Sequence, residues 1–206
     1  MALFPMFLKL EGRPALVVGA GCVGEAKIRS LLCAGAGVRV VAPVATARVR
    51  AWARAGRIVW AARPFAATDL RGVLLAVVAT PSPDLNGRIA ALARRRRILV
   101  NVVDEPERCD FYYPAIIRRG PLTIAISTEG HSPAFARRLR RHMERRIAPD
   151  LGRAVARLGN ARRKLLSQSI EPGERKRLLI RLAGKIPLGG EHERQGVSGG
   201  CGPGRS

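Results

Sequence analysis

An α/β fold with a parallel sheet is the architecture this sequence predicts, and three observations predict it. Over residues 1–113 short apolar runs alternate with stretches of helical spacing, as strands joined by crossover helices do. Runs such as Ala15-Leu-Val-Val18 and Leu74-Leu-Ala-Val-Val78 can fill a core, and apolar residues make up 47% of the chain, which places most of it among globular rather than disordered sequences. A glycine-rich turn, Gly19-Ala-Gly21-Cys-Val-Gly24, directly follows the first of these runs.

Taken in order, strands are expected at Ala15–Gly19, Val38–Ala42, Ile58–Ala61, Leu74–Ala79 and Ile98–Val102. Helices are expected at about 22–35, 46–55 and 84–96, where apolar residues recur three and four apart, as Ile28, Leu31 and Leu32 do. The pattern changes after Pro114. Leu122–Ile126 reads as a further strand, and Ser132-Pro133 opens a helix with a hydroxyl N-cap and proline at its first position. Phe135, Leu139 and Met143 then form one apolar stripe, while Arg137, Arg138, Arg140, Arg141, Arg145 and Arg146 cover much of the remainder, so this helix packs on one side. Two more helices are expected at about 150–167 and 172–184. The Gly-rich stretch after Pro187 has almost nothing to bury and is expected to be disordered. With 206 residues the chain suits one sizeable domain and a smaller appendage, divided as 1–113, a central region 114–148, a small helical domain 149–186 and a tail 187–206.

Composition narrows the function classes. No apolar stretch approaches the roughly 20 residues that cross a bilayer, and the start of the chain lacks a basic, then apolar, leader, so a cytoplasmic protein without a membrane partner is expected. Cys22, Cys33, Cys109 and Cys201 stand singly, which suggests reduced thiols, no disulfide framework and no protein-built metal site. The net charge of +22 invites a nucleic-acid reading through counterion release. Two facts set it lower: of 37 basic residues only Lys9, Lys27, Lys164, Lys176 and Lys185 are lysines, as a coding bias would produce, and few aromatic residues are available to stack on bases. A biased, solvated surface and the capture of a polyanionic small molecule are preferred, and no nucleic-acid partner is expected.

The glycine turn sits between strand and helix, the context a dinucleotide fingerprint requires. Gly19 would permit the tight turn, Gly21 the approach of a pyrophosphate and Gly24 close packing of helix on strand, with the helix N-terminus offering unpaired N–H groups to the phosphates. A Rossmann-type sheet follows. The second strand ends Val41-Ala42-Pro43-Val44 without the acid that accepts from a ribose hydroxyl, so the motif leaves NAD and NADP open, while Pro43 and Val44 should lie against the adenosine half. After the fifth strand, Asn101-Val-Val-Asp104-Glu-Pro-Glu-Arg-Cys-Asp110 gathers four of the fifteen carboxylates within seven residues. Asp104 would emerge at the ligand-binding edge, as a general base or as ordinary turn chemistry. Ser127-Thr-Glu-Gly-His-Ser-Pro133 is either a cradle for substrate carboxylates or a set of caps, and His131 reads as a solvent-facing loop residue. No GxSxG elbow points to hydrolysis.

Together, Leu3-Phe-Pro-Met-Phe-Leu-Lys-Leu10, Val17-Val-Gly-Ala-Gly-Cys-Val-Gly24, Asn101-Val-Val-Asp104, Cys109-Asp-Phe-Tyr-Tyr-Pro-Ala115 and Gly120-Pro-Leu-Thr-Ile-Ala-Ile-Ser-Thr128 with Ser132-Pro133 resemble the precorrin-2 dehydrogenase/sirohydrochlorin ferrochelatase family. That family includes the N-terminal module of siroheme synthase, and the match runs over roughly residues 3–165. The resemblance implies a homodimer with a Rossmann domain, a central dimerisation region and a small C-terminal helical domain. It implies NAD as hydride acceptor, and precorrin-2 and sirohydrochlorin as substrate and product. The phosphate-contacting turn falls on Gly21, Cys22, Val23 and Gly24, just after the tight turn at Gly19, and the adenosine side on Pro43 and Val44. The essential aspartate falls on Asp104, and the tetrapyrrole side on Asn101 and Thr128, a threonine standing where the family carries serine. Glu129 and His131 occupy a loop where relatives carry small residues. Ferrous iron is a further substrate in relatives that also chelate, and would be held by the ring nitrogens; no methyltransferase module is expected. The alternative from another class is a non-catalytic NAD-binding regulatory domain, for which Asp104 would be dispensable.

Overall fold

Each apolar run of the first half becomes a strand of one parallel sheet, because only a strand covered on both faces can be apolar without alternation. The computed structural model describes residues 3–187, so the expected tail lies outside the described residues from position 188 onward. The chain divides into two compact units, Met1–Tyr112 and Tyr113–Ser206.

In the first unit β1 (Pro14–Ala20), β2 (Gly37–Ala45), β3 (Val59–Ala61), β4 (Leu75–Val78) and β5 (Leu99–Val102) lie in the order β3-β2-β1-β4-β5. All four pairings are parallel, with Val18 opposite both Val41 and Val78, and Val78 opposite Val102. Three helices cross over: α1 (Cys22–Cys33) packs on β1, β2 and β4, α2 (Ala47–Arg54) on β3, and α3 (Pro83–Arg95) on β4 and β5. Leu16, Val18, Ala76, Val78, Val100 and Val102 from the sheet meet Ile89, Ala90 and Ala93 of α3 in one buried cluster. Thr46 caps α2 by accepting from the Val49 N–H at 3.2 Å, and Ser82 caps α3 by accepting from the Leu85 N–H at 3.3 Å. Every expected strand and helix of this half is present, with ends displaced by at most two residues except at β2, which runs three residues further, to Ala45.

The outer edge of β5 is closed by side chains rather than by a sixth strand. Asp110 donates its N–H to the Val100 carbonyl at 2.7 Å, and its carboxylate accepts from the Val100 N–H at 2.9 Å. One step along, the Cys109 thiol donates to the Val102 carbonyl at 3.1 Å and accepts from the Val102 N–H at 3.3 Å. An exposed strand edge invites pairing with other chains, and this returning segment removes it.

The second unit is a hairpin clasped by helices. β6 (Ala115–Arg119), which the sequence did not reveal, pairs antiparallel with β7 (Leu122–Ile126) around Gly120-Pro121. Its apolar Ile116-Ile117 and basic Arg118-Arg119 pairs break the alternation that marks a half-buried strand. α4 (Pro133–Arg146) packs on both strands, and α5 (Leu151–Leu166) on both strands and on α6 (Pro172–Gly184). α4 buries Ala136 and half-buries Leu139 and Met143, whereas Phe135 is left 53% exposed, so the expected stripe is only partly used within the chain. Arg119 donates to the Glu144 carbonyl at 3.2 Å, tying β6 to the last turn of α4.

Gly152, in the first turn of α5, lies against the hairpin backbone: a Cβ there would stand 2.2 Å from the Arg119 oxygen and 2.5 Å from its carbonyl carbon. Replacing glycine by alanine within a helix ordinarily gains about 1 kcal/mol. Here neither neighbouring atom can swing aside, because both are backbone, and overpacking of this kind costs about 1–3 kcal/mol. Gly152→Ala is therefore expected to lower stability, measured by denaturant unfolding of the full chain; an unchanged or raised midpoint would show that α5 can lift off the hairpin without cost.

Candidate active site

The carboxyl ends of β1 and β4 lie side by side at the middle of the sheet, and the connections from them run to opposite sides. Ligands of open α/β sheets bind at such a switch point. The glycine turn occupies it. Gly19 still belongs to β1, at φ +100°, and a Cβ there would stand 2.2 Å from the Ala79 oxygen at the end of β4. A Cβ on Gly24 would stand 2.2 Å from the Gly19 oxygen. Gly19 therefore serves close contact between strand ends as well as the turn, whereas Gly24 serves the packing of helix on strand. Gly21 differs from both: it is the N-cap of α1, at φ −72° and ψ −172°, and nothing lies within 4 Å of where its Cβ would be. No side chain caps α1. Cys22 and Val23 are exposed in its first turn, and together with Gly21 they leave an open cradle of N–H groups of the kind that receives a pyrophosphate.

Pro43 and Val44, near the end of β2, are both exposed, Val44 to 76%. The charges next to them are already engaged. Glu25 of α1 accepts from the Thr46 hydroxyl at 2.7 Å and pairs with Arg48 at 3.5 Å. The residues present therefore fit a dinucleotide, with an open phosphate cradle on α1 and an uncharged surface at the end of β2.

Asp104 stands just beyond β5 at φ +61°, a left-handed conformation that Asp and Asn tolerate better than other side chains. Its carboxylate is exposed, and no hydrogen bond or ion pair to it occurs among the described residues. The turn beneath it is firmly held. Asn101, 6% exposed, donates its amide to the Phe111 carbonyl at 2.8 Å and to the Cys109 sulfur at 3.3 Å. Both donors of Asn101 are thus spent inside the protein, on the segment that returns past Asp104. Burial pushes the Cys109 thiol above its usual range, as suits a structural hydrogen-bonding thiol rather than a nucleophile.

Two sets of residues here escaped the sequence reading. Lys27 is half-buried on α1; burial pushes its ammonium below the usual range, and the charges of Cys109 and Asp104 act in the opposite direction. It therefore lies within electrostatic reach of Asp104. Asn86, 4% exposed, and Thr80 form the second set, linked at 2.6 Å from the Thr80 hydroxyl to the Asn86 carbonyl oxygen. A polar residue on the apolar stripe that Ile89, Ala90 and Ala93 continue was the signal for Asn86. Nothing in a chain with so many bases marks Lys27.

In the second unit Thr128 sits in the loop from β7 to α4. Its hydroxyl accepts from the Ser132 N–H at 3.2 Å and its carbonyl from the His131 N–H at 2.8 Å, so it organises the entry to α4. Glu129 adopts φ +52°, and His131 is exposed. An open groove between α5 and α6, of about 440 Å³, is lined by Leu166, Leu179, Ile180 and three basic residues. Its lining holds no carboxylate, hydroxyl or thiol. Among the described residues no three His, Cys, Asp or Glu side chains gather as a metal site, and no helix is long and apolar enough to cross a membrane.

Comparison with known proteins agrees with an NAD(P)-binding fold. A family of NAD(P)-binding domains matches residues 6–115, and the central domain of sirohaem biosynthesis proteins matches residues 119–146. Siroheme synthase 3 of Aeromonas hydrophila subsp. hydrophila is 40% identical over 92% of this chain, and siroheme synthase of Neisseria meningitidis serogroup C is 43% identical over 74% of it. The chain spans 40% and 32% of the lengths of those two relatives. Among solved structures, SirC, a precorrin-2 dehydrogenase, superposes with a TM-score of 0.71 at 27% identity, covering 87% of this chain and 89% of its own. Both halves of the fold thus match in chain order, and the chain belongs to the NAD(P)-binding family of sirohaem biosynthesis proteins, with siroheme synthases among its relatives.

Proposed function

We propose that this protein oxidises precorrin-2 to sirohydrochlorin with NAD, as a step of siroheme biosynthesis in the cytoplasm. The observation that carries the proposal is the placement, on one edge of one sheet, of an open phosphate cradle at Gly21–Gly24 and an exposed, rigidly presented carboxylate at Asp104. NAD supplies the chemistry of hydride acceptance. The chain supplies the rest: N–H groups of the first turn of α1 hold the pyrophosphate, Pro43 and Val44 support the adenosine half, and Asp104 takes the proton that must leave with the hydride. The +22 charge favours encounter with a carboxylate-rich tetrapyrrole. Thr128 is proposed as a tetrapyrrole contact on the family resemblance alone. Asn101, whose amide is internally bonded, serves the site by holding the loop that carries Asp104.

The working unit is proposed to be a homodimer. Exposed Phe135 on α4, and Phe4, Met6 and Phe7 in the N-terminal segment, are apolar surface that closed two-fold pairing would cover. Sedimentation at micromolar concentration is expected to give the mass of two 22.3 kDa chains, and a monomeric mass would count against this assembly.

Gly21→Asp tests the cofactor site. The backbone at Gly21 accepts an L residue and the space before it is open, so the variant should fold. Its carboxylate would oppose the pyrophosphate, at a cost of about 4 kcal/mol for charges 4 Å apart near a surface, and NAD affinity is expected to fall by roughly 10²-fold or more. Calorimetric titration at unchanged melting temperature is the measurement, and wild-type affinity would remove the cradle from the mechanism.

Asp104→Asn tests the chemistry. Asparagine suits the left-handed backbone and keeps the shape, so NAD and tetrapyrrole should still bind while turnover falls by roughly 10²-fold or more. Absorbance assays with precorrin-2 and NAD read the dehydrogenation, and a second stage with ferrous iron, corrected for spontaneous metalation, reads any chelation. Near-normal oxidation by this variant would refute the general-base role. Loss of tetrapyrrole binding would instead make Asp104 a substrate anchor, and preserved biological output without Asp104 would favour a nucleotide-sensing module.

A further inference from the structure

Asn86 uses every hydrogen-bonding group of its amide. Its oxygen accepts from the Thr80 hydroxyl at 2.6 Å, and its nitrogen donates to the Thr80 carbonyl at 3.2 Å and to a Glu105 carboxylate oxygen at 3.0 Å. The other Glu105 oxygen meets Arg108 at 3.0 Å. Arg108 in turn donates to the Pro83 carbonyl at 3.2 Å, and its guanidinium fills the space where a Cβ on Gly87 would stand. Glu105 is thus gripped at both oxygens by groups that rest on the first turns of α3. It directly follows Asp104, and its own N–H closes the turn on the Val102 carbonyl at 3.4 Å.

At the other end of this run of bonds, Thr80 directly follows Ala79. A Cβ on Gly19 would meet the Ala79 oxygen at 2.2 Å and the Thr80 nitrogen at 3.3 Å. The dinucleotide turn is therefore packed on the backbone of the segment that Asn86 grips. From that segment, two side chains lead to the residue beside Asp104.

We infer that Asn86 is a positioning residue for the oxidation: through Glu105 it fixes the turn that displays Asp104, and through Thr80 it fixes that turn relative to the dinucleotide cradle. A buried amide with all its partners satisfied is a costly and specific device, because any substitute leaves Thr80 or Glu105 without its partner. Leucine would serve the apolar stripe better if packing were the only requirement. The inference rests on Asp104 acting as the proton acceptor, and it assigns Asn86 no contact with substrate.

The test is Asn86→Asp in the full-length chain, followed by steady-state oxidation of precorrin-2 across a pH series, with NAD affinity measured separately. Glu105 and Arg108 are the charged groups that meet position 86 from the loop, and Asp84 and Arg88 flank it on α3. Above neutral pH the new carboxylate faces the Glu105 carboxylate, the turn is pushed away from its seat, and kcat is expected to fall about 10- to 100-fold, the scale of a misplacement of about 1 Å. NAD affinity should stay within about threefold of wild type. As pH falls, a proton shared by the two carboxylates restores a donor toward Glu105, so the ratio of variant to wild-type kcat should rise. A merely structural role would give a ratio independent of pH, with NAD affinity and melting temperature lost together, and would overturn the inference.

Asn86→Ala, Glu105→Ala and the double variant supply a second arm. If Asn86 acts through Glu105, the double variant is no slower than the slower single one, whereas multiplicative losses would overturn the inference. Should Asn86 variants fail to fold, Thr80→Val carries the same test from the other side of the amide: kcat falls with NAD affinity retained, and unchanged kcat would overturn the inference. Asp104→Asn keeps the two readings apart. Full activity in Asp104→Asn removes the general base whatever Asn86 does, while an inactive Asp104→Asn beside a fully active Asn86→Asp removes only the positioning role.

Discussion

Backbone touches backbone where β1, β4 and α1 meet, and the rest of the site depends on that close approach. Gly19 lies against the Ala79 carbonyl, and Gly24 against the Gly19 carbonyl, each so closely that a Cβ would stand 2.2 Å from an oxygen. No side chain can be accommodated in either place. The gain is that the N-terminus of α1 arrives directly over the switch point, with its first-turn N–H groups uncapped and facing open space. Displacing α1 outward by one methyl group would carry its uncapped N-terminus away from the ends of β1 and β4.

The loop after β5 solves a second problem with residues that serve two ends. An edge strand needs its free N–H and C=O groups covered, and Asp110 and Cys109 do this with side-chain and main-chain bonds. Because the covering segment must turn back immediately, Asp104 and Glu105 are forced into a tight bend, with Asp104 left-handed at its tip. Of the four acids in this stretch, Asp110 completes the strand edge and Glu105 anchors the turn on α3, while the Asp104 carboxylate makes no bond among the described residues. Hydrogen-bond partners, not burial, separate these acids: Asp110 and Glu105 are tied into the fold, whereas Asp104 is exposed.

Charge is distributed unevenly between folding and function. Several of the few carboxylates are committed to arginines, as in Arg63–Asp69, Arg94–Asp110, Arg108–Glu105 and Arg119–Glu144. Partly exposed pairs of this kind are worth about 1 kcal/mol or less each, so they orient loops more than they stabilise the fold. The excess of arginine remains on the surface, including the outward side of α4, where Arg137, Arg138, Arg141, Arg145 and Arg146 are exposed. Stability must come instead from the apolar cluster between sheet and α3, in which Ile89, Val78 and Val100 are fully buried.

The sequence by itself determined the parallel sheet, its crossover helices, the place of the dinucleotide turn and the presence of an acid at the end of β5. These follow from local patterns: uninterrupted apolar runs, three- and four-residue spacing, glycines between strand and helix, and Ser-Pro or Thr caps. It did not determine β6, whose alternation is broken by paired isoleucines and paired arginines. Nor did it distinguish Asn101, which reads as a substrate contact but whose amide is bonded within the loop, from Asp104, whose carboxylate stands exposed three residues later. Lys27 was beyond its reach for the same reason, and the polar break that Asn86 makes in an apolar stripe did not reveal its partners. Glu105 lies 19 residues from Asn86 along the chain and Asp104 lies 77 residues from Lys27, and only the folding of α1 and α3 against the end of β5 brings them together. Short-range periodicity encodes which segments are strands and helices, whereas the fate of each polar group depends on desolvation and on partners that tertiary structure alone supplies.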